Sequence, residues 1–205
     1  MVPNQAHSRY HHGDLRNALI QAATTVLVEK GAAALSLREV ARVAGVSHAA
    51  PYRHFRDKAA LLRVLAQGGF ERLTAALNRA AENSPHNPEQ KLIEAGVAYV
   101  RIVVQHPEIT RLMFAGTVEP QQDPAYLAAT AACYEALLDI IRQGIAQGTF
   151  RQRPPQQLVL VAWASMHGLA MLAVARLLEV DVDDELTLDV LIRSVAANVI
   201  YGIVK

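Results

Sequence analysis

Apolar residues recur through most of this chain at the three- and four-residue spacing of an amphipathic helix. Between Asp14 and Lys30 this spacing puts the apolar residues on one helical face. They are Leu15, Ala18, Leu19, Ala22, Ala23 and Val26. Asp14 is a suitable N-cap, and Gly31 tolerates the left-handed backbone that ends many helices. The pattern therefore predicts a first helix from Asp14 to Lys30.

A second, shorter helix is predicted to begin at Leu37. Ser36 and Glu39 have the spacing of a capping box, in which each side chain bonds a backbone N–H of the first turn. Gly45 is suited to end this helix, and Ser47 is a candidate N-cap for a third. Two short helices joined by a glycine-containing turn form a helix-turn-helix, whose second helix enters the major groove of DNA.

The segment after Gly45 is rich in polar and basic side chains, with His48, Tyr52, Arg53 and His54 close together and no acidic residue among them. Pro51 complicates a helix that starts at Ser47, because its missing N–H removes an early internal hydrogen bond. Either this helix begins later, or it is shorter and its first turn is strained.

Prolines, glycines and capping residues divide the rest of the chain into six more helices. These are predicted over about 58–83, 88–105, 107–116, 124–147 and 156–178, and from the acidic residues 181–185 to about 203. No long alternating run of β-branched residues occurs. We therefore expect an all-α protein of about nine helices, three in a domain of residues 1–60 and six in a domain of residues 61–205.

The composition fits a protein of the reducing cytoplasm. Of 205 residues, 52% are hydrophobic, and the single cysteine, Cys133, excludes an internal disulfide. Cys133 is expected to be a small buried hydrophobe. The N-terminus, with His7, Arg9, His11 and His12 and no apolar segment, does not resemble a signal peptide.

Charge is distributed unevenly along the chain. Residues 1–65 carry nine Lys and Arg against four Asp and Glu, whereas the remainder carries eleven against fifteen. Five of the eight histidines also lie in the first part. A basic domain attached to an acidic one predicts a polyanionic partner for the basic part.

One stretch, residues 158–175, has no formal charge and is just long enough to span a membrane. It contains five alanines together with Ser165, His167 and Gly168, so it is only weakly apolar. A buried helix is the expected structure, and no membrane partner is predicted.

The first part of the chain resembles the TetR family of transcriptional regulators. The matching blocks are 10–15, 36–41, 44–47 and 52–55, followed by Asp57, Lys58 and Leu61. The second part resembles the subgroup with a Trp-His-Gly signature, here Trp163, His167 and Gly168. The resemblance implies a three-helix DNA-binding domain, and a larger helical domain that dimerises and binds an effector without a cofactor.

The resemblance also implies which residues touch DNA. Ser36, Arg38, Tyr52, His54 and Lys58 are expected to contact phosphates, because hydroxyls, cationic groups and helix N-termini suit phosphate oxygens. Base contacts are expected from His48, Ala49, Ala50 and Arg53. Leu37 and Ser47, at the two helix starts, complete the predicted DNA-binding set. Arg9 and His11 are within reach of a groove or the backbone.

The predicted mechanism is that of a repressor released from its operator by a small, largely apolar ligand. The ligand would tilt the helix that starts at Lys58 and change the separation of two DNA-binding domains in a homodimer. Candidate ligand-binding residues are Tyr99, Val103, Met113, Phe114, Tyr134, Trp163, His167 and Met171. An ordinary core role is the alternative for each of them.

The dimer surface is expected on the last two helices. The residues assigned to it are Leu158, Val161, Ala162, Ser165, Leu169, Leu172 and Ala173 on one, and Leu188, Leu191, Ile192, Val195 and Val199 on the other.

Other classes of protein fit the sequence less well. An enzyme is not expected, because the chain has no Glu-x-x-His pair, no glycine-rich phosphate loop and no zinc-ligand spacing, and no metal site is predicted. A DNA-binding protein without an effector, whether architectural, constitutive or an activator, is the remaining alternative.

Overall fold

The computed structural model describes residues 12–84, 86–114 and 123–203, which contain eight α-helices and no strand. The helices are α1 (His12–Ala34), α2 (Leu37–Val43), α3 (Lys58–Glu82), α4 (Pro88–Gln105), α5 (Pro107–Phe114), α6 (Pro124–Ala146), α7 (Pro155–Val174) and α8 (Glu185–Tyr201). One turn of 3-10 helix, Pro51–Arg53, lies between α2 and α3. The all-α prediction is confirmed. Of the nine predicted α-helices, the third, which was expected to follow Ser47, is wrong.

The first two helices follow the predicted capping signals in part. Gly31 has a φ of 75° and breaks the helical path of α1, as predicted. The Ser36 hydroxyl accepts from the Glu39 N–H at 3.1 Å, which is half of the capping box. The other half is wrong, because the Glu39 carboxylate instead pairs with Lys30 and Arg42.

Gly45 ends α2 as predicted. Its φ is 67°, and the N–H of Val46 donates to the Ala41 carbonyl at 3.0 Å. This is the hydrogen bond of a Schellman motif, in which a left-handed residue turns the chain out of the helix. The turn gives α2 a defined end.

The long helix α3 contributes to both the DNA-binding part and the larger helical part of the molecule. Asp57 caps it by accepting from the Ala60 N–H at 2.8 Å. Leu61 and Leu65 near its start, and Leu73 and Leu77 further along, are all buried in one connected core. The predicted domain boundary at residues 60 and 61 therefore falls within the first turn of a helix that both parts share.

The helices α4–α8 form the helical domain, with α4 packed against α3, α6, α7 and α8. A Cβ added to Gly69 of α3 would lie 2.5 Å from Met113 Sδ and 2.8 Å from Ile109 Cγ2, so the glycine lets α5 approach closely. The predicted end of the α5 segment, near 116, lies outside the described residues, as does the N-terminal arm with Arg9 and His11.

Helix α7 ends earlier than predicted. Its last residue is Val174, and Arg176 takes the left-handed conformation with a φ of 57°. The Leu177 N–H then donates to the Leu172 carbonyl at 3.0 Å. The sequence predicted a helix to 178, because an arginine gives no signal for the turn that a glycine usually makes. Helix α8 likewise ends at Tyr201 rather than near 203.

Two helices, α6 and α7, are long and apolar enough to cross a membrane by length and composition alone. Both pack against α4 and against each other within the helical domain. This is the arrangement of helices in a globular bundle and gives no support to a membrane protein.

Candidate nucleic-acid interface and ligand cavity

Residues 47–55, here called the recognition segment, form turns rather than a regular α-helix. The Ala50 N–H donates to the Ser47 carbonyl at 2.9 Å, and the His54 N–H donates to the Pro51 carbonyl at 3.0 Å. Pro51 opens the 3-10 turn, where its missing N–H removes no bond. A helix capped by Ser47 is therefore wrong, and the element in its place begins later, at Pro51, as a single 3-10 turn.

The recognition segment is held against α1 by an apolar underside. Ala50, Pro51 and Phe55 are buried, and Phe55 exposes only 3% of its surface. The Arg16 guanidinium of α1 lies 5.7 Å from the centre of the Phe55 ring, within the range of a cation–π contact. The polar side chains of the segment are thus displayed from a fixed base.

Most of the predicted DNA-binding residues lie on the surface. The exposed ones are Ser36, Arg38, Ser47, His48, Ala49, Tyr52 and Arg53, and the half-buried ones are His54 and Lys58. Two differ from expectation. Leu37 faces the core from α2 at 5% exposure, and Ala50 lies under the segment at 9%. The Leu37 side chain is therefore not available to a partner, and the Ala50 methyl group is largely covered.

The charge pattern of this surface favours an anionic partner. The Glu39 carboxylate is paired with Arg42 and Lys30, and these hydrogen bonds lower its pKa to about 2. In the described part of the chain, Arg38 and Arg53 have no carboxylate partner, which leaves one exposed cation on α2 and one within the recognition segment. Lys58 donates to the backbone carbonyls of Ala32 at 2.7 Å and Ala33 at 3.3 Å.

A cavity of about 260 Å³ lies inside the helical domain, between α3, α4, α6, α7 and α8. Its lining comprises Phe70, Leu73, Leu77, Leu92, Ala95, Gly96, Tyr99, Phe114, Thr130, Cys133, Tyr134, Leu137, Val159, Ala162, Trp163, Met166, Ala196, Val199 and Ile200. Within the described ranges no charged side chain lines it. Such a lining suits an apolar ligand, because an ion placed there would lose its hydration without gaining a partner.

Four of the eight predicted ligand-binding residues line this cavity: Tyr99, Phe114, Tyr134 and Trp163. The others do not. Val103 and Met113 are packed in the core, His167 lies behind Tyr99, and Met171 is half-buried further along α7.

The contribution of α8 to the cavity was not predicted, because Val199 was assigned to the dimer surface but lines the cavity. Met166 was not predicted either, although the sequence carries a signal for it, because it follows Trp163 by three residues on the same helix.

A hydrogen-bonded cluster of three rings lies at one side of the cavity. Trp163 Nε1 donates to the Tyr99 hydroxyl at 3.2 Å, and that hydroxyl lies 2.8 Å from His167 Nδ1. Burial raises the pKa of Tyr99 to about 12 and lowers the pKa of His167. The Tyr99 hydroxyl thus keeps its proton and His167 is neutral, and the two share the hydrogen bond between the hydroxyl and Nδ1.

The cavity is connected to the DNA-binding residues by α3 and α5. Phe114, the last residue of α5, contacts the rings of Phe70, Trp163 and His167, with centroid separations of 5.6, 6.0 and 4.9 Å. Helix α5 also packs against α1 and α3. A change in the cavity lining therefore has a short packed route to the helix-turn-helix.

The fold and these two sites define a helix-turn-helix DNA-binding protein with an internal apolar cavity. Residues 19–65 match the family model described as bacterial regulatory proteins, tetR family, and residues 92–195 match the one described as tetracyclin repressor-like, C-terminal domain. The chain belongs to the TetR family of transcriptional regulators, and it carries the family's helix-turn-helix DNA-binding domain. The family consists of regulators rather than enzymes.

Similar proteins include both characterised and uncharacterised members. A protein of unknown function from Rhodococcus sp. RHA1 is 35% identical, with a TM-score of 0.85 over 97% of this chain and 100% of that one. The HTH-type transcriptional activator FasR of Mycolicibacterium smegmatis is 29% identical over 73% of this chain and 69% of its own length. The fatty acid degradation regulator FadR from Bacillus halodurans is 17% identical, with a TM-score of 0.71 over 94% of this chain and 97% of that one, which shows a shared fold.

Proposed function

We propose that this protein is a homodimeric, cytoplasmic repressor that a small apolar ligand releases from its operator. The observation that carries the proposal is the uncharged cavity of about 260 Å³, whose lining includes residues of α3, the helix that continues into the DNA-binding part. A protein that only bound DNA would have no need of such a space, since an unfilled cavity lowers stability.

The DNA contacts in this proposal follow the exposure of the side chains. Phosphate contacts come from Tyr52, His54, Arg38 and Ser36. Lys58 adds another through its third ammonium N–H, because the other two donate to the Ala32 and Ala33 carbonyls. Arg53, exposed in the 3-10 turn, contacts a guanine edge. The remaining base contacts come from His48 and Ala49, while Ala50 acts through the backbone of the segment.

The dimer surface in this proposal lies on the outward faces of α7 and α8. Several residues first assigned to it face the protein's own core instead: Leu158, Ala162, Leu169, Ala173, Leu188 and Ile192. Large apolar residues that remain outside include Leu160, Val161, Leu172, Leu186, Val190 and Tyr201, with exposures of 61, 48, 44, 73, 63 and 75%. Exposed apolar patches of this kind mark association sites.

Gly168 supports the same surface. It lies between Leu160 and Leu172 on one exposed stripe of α7, and a Cβ added there would meet nothing within 4 Å. The glycine therefore has no packing role within its own chain, whereas a missing side chain lets a partner helix approach closely. With Trp163 and His167, which both bond to Tyr99, it also supports membership of the subgroup with the Trp-His-Gly signature.

The dimer is tested by sedimentation of the double variant Leu186→Glu, Val190→Glu at micromolar concentration. We expect a folded monomer with much weaker operator binding, because a single DNA-binding domain makes too few contacts with DNA. Leu177→Glu is the matched control, since Leu177 is 70% exposed but lies beyond the end of α7. A double variant that remains dimeric would contradict this surface.

In the coupling step, ligand binding moves α3 and α5 and so changes the separation of the two DNA-binding domains of the dimer. DNA half-sites read by a two-fold dimer lie roughly 34–36 Å apart, so a small tilt of each α3 reduces the fit to DNA. The ligand must then bind the released form more tightly than the DNA-bound form. Calorimetry with and without operator DNA measures this difference, and equal ligand affinities would remove the coupling.

Activation is the second candidate function. It is favoured by the M. smegmatis relative, whose name states that it is a transcriptional activator. Transcription in vitro from the DNA flanking this protein's gene separates the two, with a gel-shift titration locating the operator. Repression predicts fewer transcripts on protein addition and recovery with ligand, whereas activation predicts more transcripts.

A further inference from the structure

We propose that the cavity binds a single-chain amphiphile, whose hydrocarbon tail enters between α6 and α7 while its polar group remains at the mouth beside Tyr134. This inference rests on the proposed function and adds the chemical class of the ligand and its direction of entry. It follows from which polar atoms of the lining are already bonded and from which lining residues reach the surface.

The polar groups inside the cavity are almost all committed to partners in the protein. Trp163 Nε1 donates to Tyr99, the Tyr99 hydroxyl bonds His167, and the Thr130 hydroxyl donates to the Leu127 carbonyl at 2.9 Å. Burial raises the pKa of the Cys133 thiol to about 11, so it stays neutral. The interior thus offers hydrocarbon contact and little hydrogen bonding.

The Tyr134 hydroxyl is different, because it has no hydrogen-bond partner in the part of the chain that the structure describes. Tyr134 and Trp163 are also the most exposed residues of the lining, with 37% and 36% of their surfaces exposed. They lie on α6 and α7, so the cavity meets the surface between these helices. A ligand that enters there meets one available hydroxyl at the mouth and only apolar surface beyond it.

The cavity volume sets the length of the tail. A cavity of about 150 Å³ accommodates benzene, so in proportion about 260 Å³ has room for roughly ten carbon atoms. Each methylene buried there contributes about 0.8 kcal/mol, or roughly a fourfold gain in affinity. A longer tail leaves its extra carbons in water and gains little.

The test uses straight-chain 1-alkanols of increasing length and the matching carboxylic acids, with the full-length protein. Trp163 is the only tryptophan in the chain and lines the mouth, so its fluorescence reports binding without a label. We expect the dissociation constant to fall about fourfold per carbon and to level off near ten carbons. Exchange of the hydroxyl for a carboxylate should change it less than about tenfold, because the polar group stays in solvent.

A second measurement uses Cys133, the only cysteine and a cavity residue. Bound decanol should slow its alkylation by a small maleimide at least about tenfold.

The variant Ala162→Leu fills the cavity and should weaken decanol binding about tenfold or more. Ala132→Leu, an exposed position on α6 outside the lining, is the matched control. Tyr134→Phe should weaken decanol binding a few-fold and leave the dependence on length unchanged.

Affinity that does not depend on tail length, or a carboxylate that abolishes binding, would overturn this inference. So would decanol binding that leaves Cys133 unprotected. Its failure is distinguishable from failure of the proposed function, because binding is measured without DNA. Alkanols that bind with the expected length dependence but leave operator affinity unchanged would support the ligand class and contradict the regulatory role.

Discussion

The side-chain nitrogen of Lys58 lies 2.7 Å from the Ala32 carbonyl oxygen, which joins the first residue of α3 to the end of α1. A second bond to the Ala33 carbonyl, at 3.3 Å, involves the same amine. A cation near the C-terminus of a helix also interacts favourably with the helix dipole. This link ties the start of α3 to the end of α1, so we expect the two to move together.

Lys58→Ala is expected to weaken DNA binding and to lower stability together. Loss of the bonds to Ala32 and Ala33 should reduce the free energy of unfolding by about 1 kcal/mol. Loss of one phosphate contact should reduce the slope of log K against log salt concentration by about 0.9. Arg56→Ala is the control, since it removes a charge from a side chain that is 89% exposed. An unchanged slope for Lys58→Ala would show that Lys58 makes no phosphate contact.

Tyr52→Phe is expected to weaken binding to specific and nonspecific duplexes alike, about fivefold. The Tyr52 side chain is 54% exposed, so loss of its hydroxyl removes a phosphate contact without disturbing the core. Fluorescence anisotropy with operator and scrambled duplexes measures both affinities, and thermal unfolding should be unchanged. A larger loss for the operator than for scrambled DNA would show that Tyr52 contacts a base instead.

Three glycines give a graded test of backbone and packing requirements. Gly45→Ala should lower the free energy of unfolding by about 1 kcal/mol, because its φ of 67° is strained for a side chain although no atom lies within 4 Å. Gly68→Ala, in the middle of α3 with the same open surroundings, should raise it by roughly 0.5–1 kcal/mol.

Gly69→Ala should be the most damaging of the three, because the new Cβ would overlap Met113 and Ile109. Chemical denaturation of the three variants gives the order directly. Equal changes in the free energy of unfolding at Gly68 and Gly69 would show that α5 shifts easily to accommodate the new Cβ. That result would weaken the proposed role of α5 in coupling the cavity to the DNA-binding domain.

Local signals predicted much of the fold, whereas packing decided what they left open. Capping residues fix helix starts, as Asn87 does by accepting from the Gln90 N–H at 3.0 Å. Helix α7 is apolar on several sides, so periodicity alone does not identify which face is inward. For this reason Leu158 and Leu169 were assigned to the dimer surface, although the rest of the chain covers them.

The candidate sites show the same division. The exposed recognition residues were predicted because Gly45 and the cluster of basic and aromatic side chains lie within one short segment. The cavity was only half predicted, because its walls come from helices distant in sequence. Val199 and Met166 meet Tyr99 around this space only after α4, α7 and α8 have packed.

The ion pairs of Glu39 should make part of the free energy of unfolding dependent on pH. The hydrogen bonds to Arg42 and Lys30 lower the pKa of Glu39 from 4.5 to about 2, so the folded state binds its proton less readily than the unfolded state. Its contribution is therefore present above about pH 4.5 and is lost as the pH falls towards 2. Glu39→Gln should flatten this part of the pH profile. Glu82→Gln, which removes an exposed carboxylate without an ion pair in the described residues, should leave the profile unchanged.

Tyr99→Phe isolates the ring cluster at the cavity. The variant removes the hydroxyl that accepts from Trp163 and hydrogen-bonds His167, and leaves both nitrogens without that partner. We expect a loss of about 1–2 kcal/mol in the free energy of unfolding, with a shift in the emission of the only tryptophan. Tyr134→Phe is the matched control, because its hydroxyl has no hydrogen-bond partner in the described residues and should contribute little. If Tyr99→Phe leaves stability and emission unchanged, the three rings do not act as one unit, and the neutral state of His167 is fixed by burial alone.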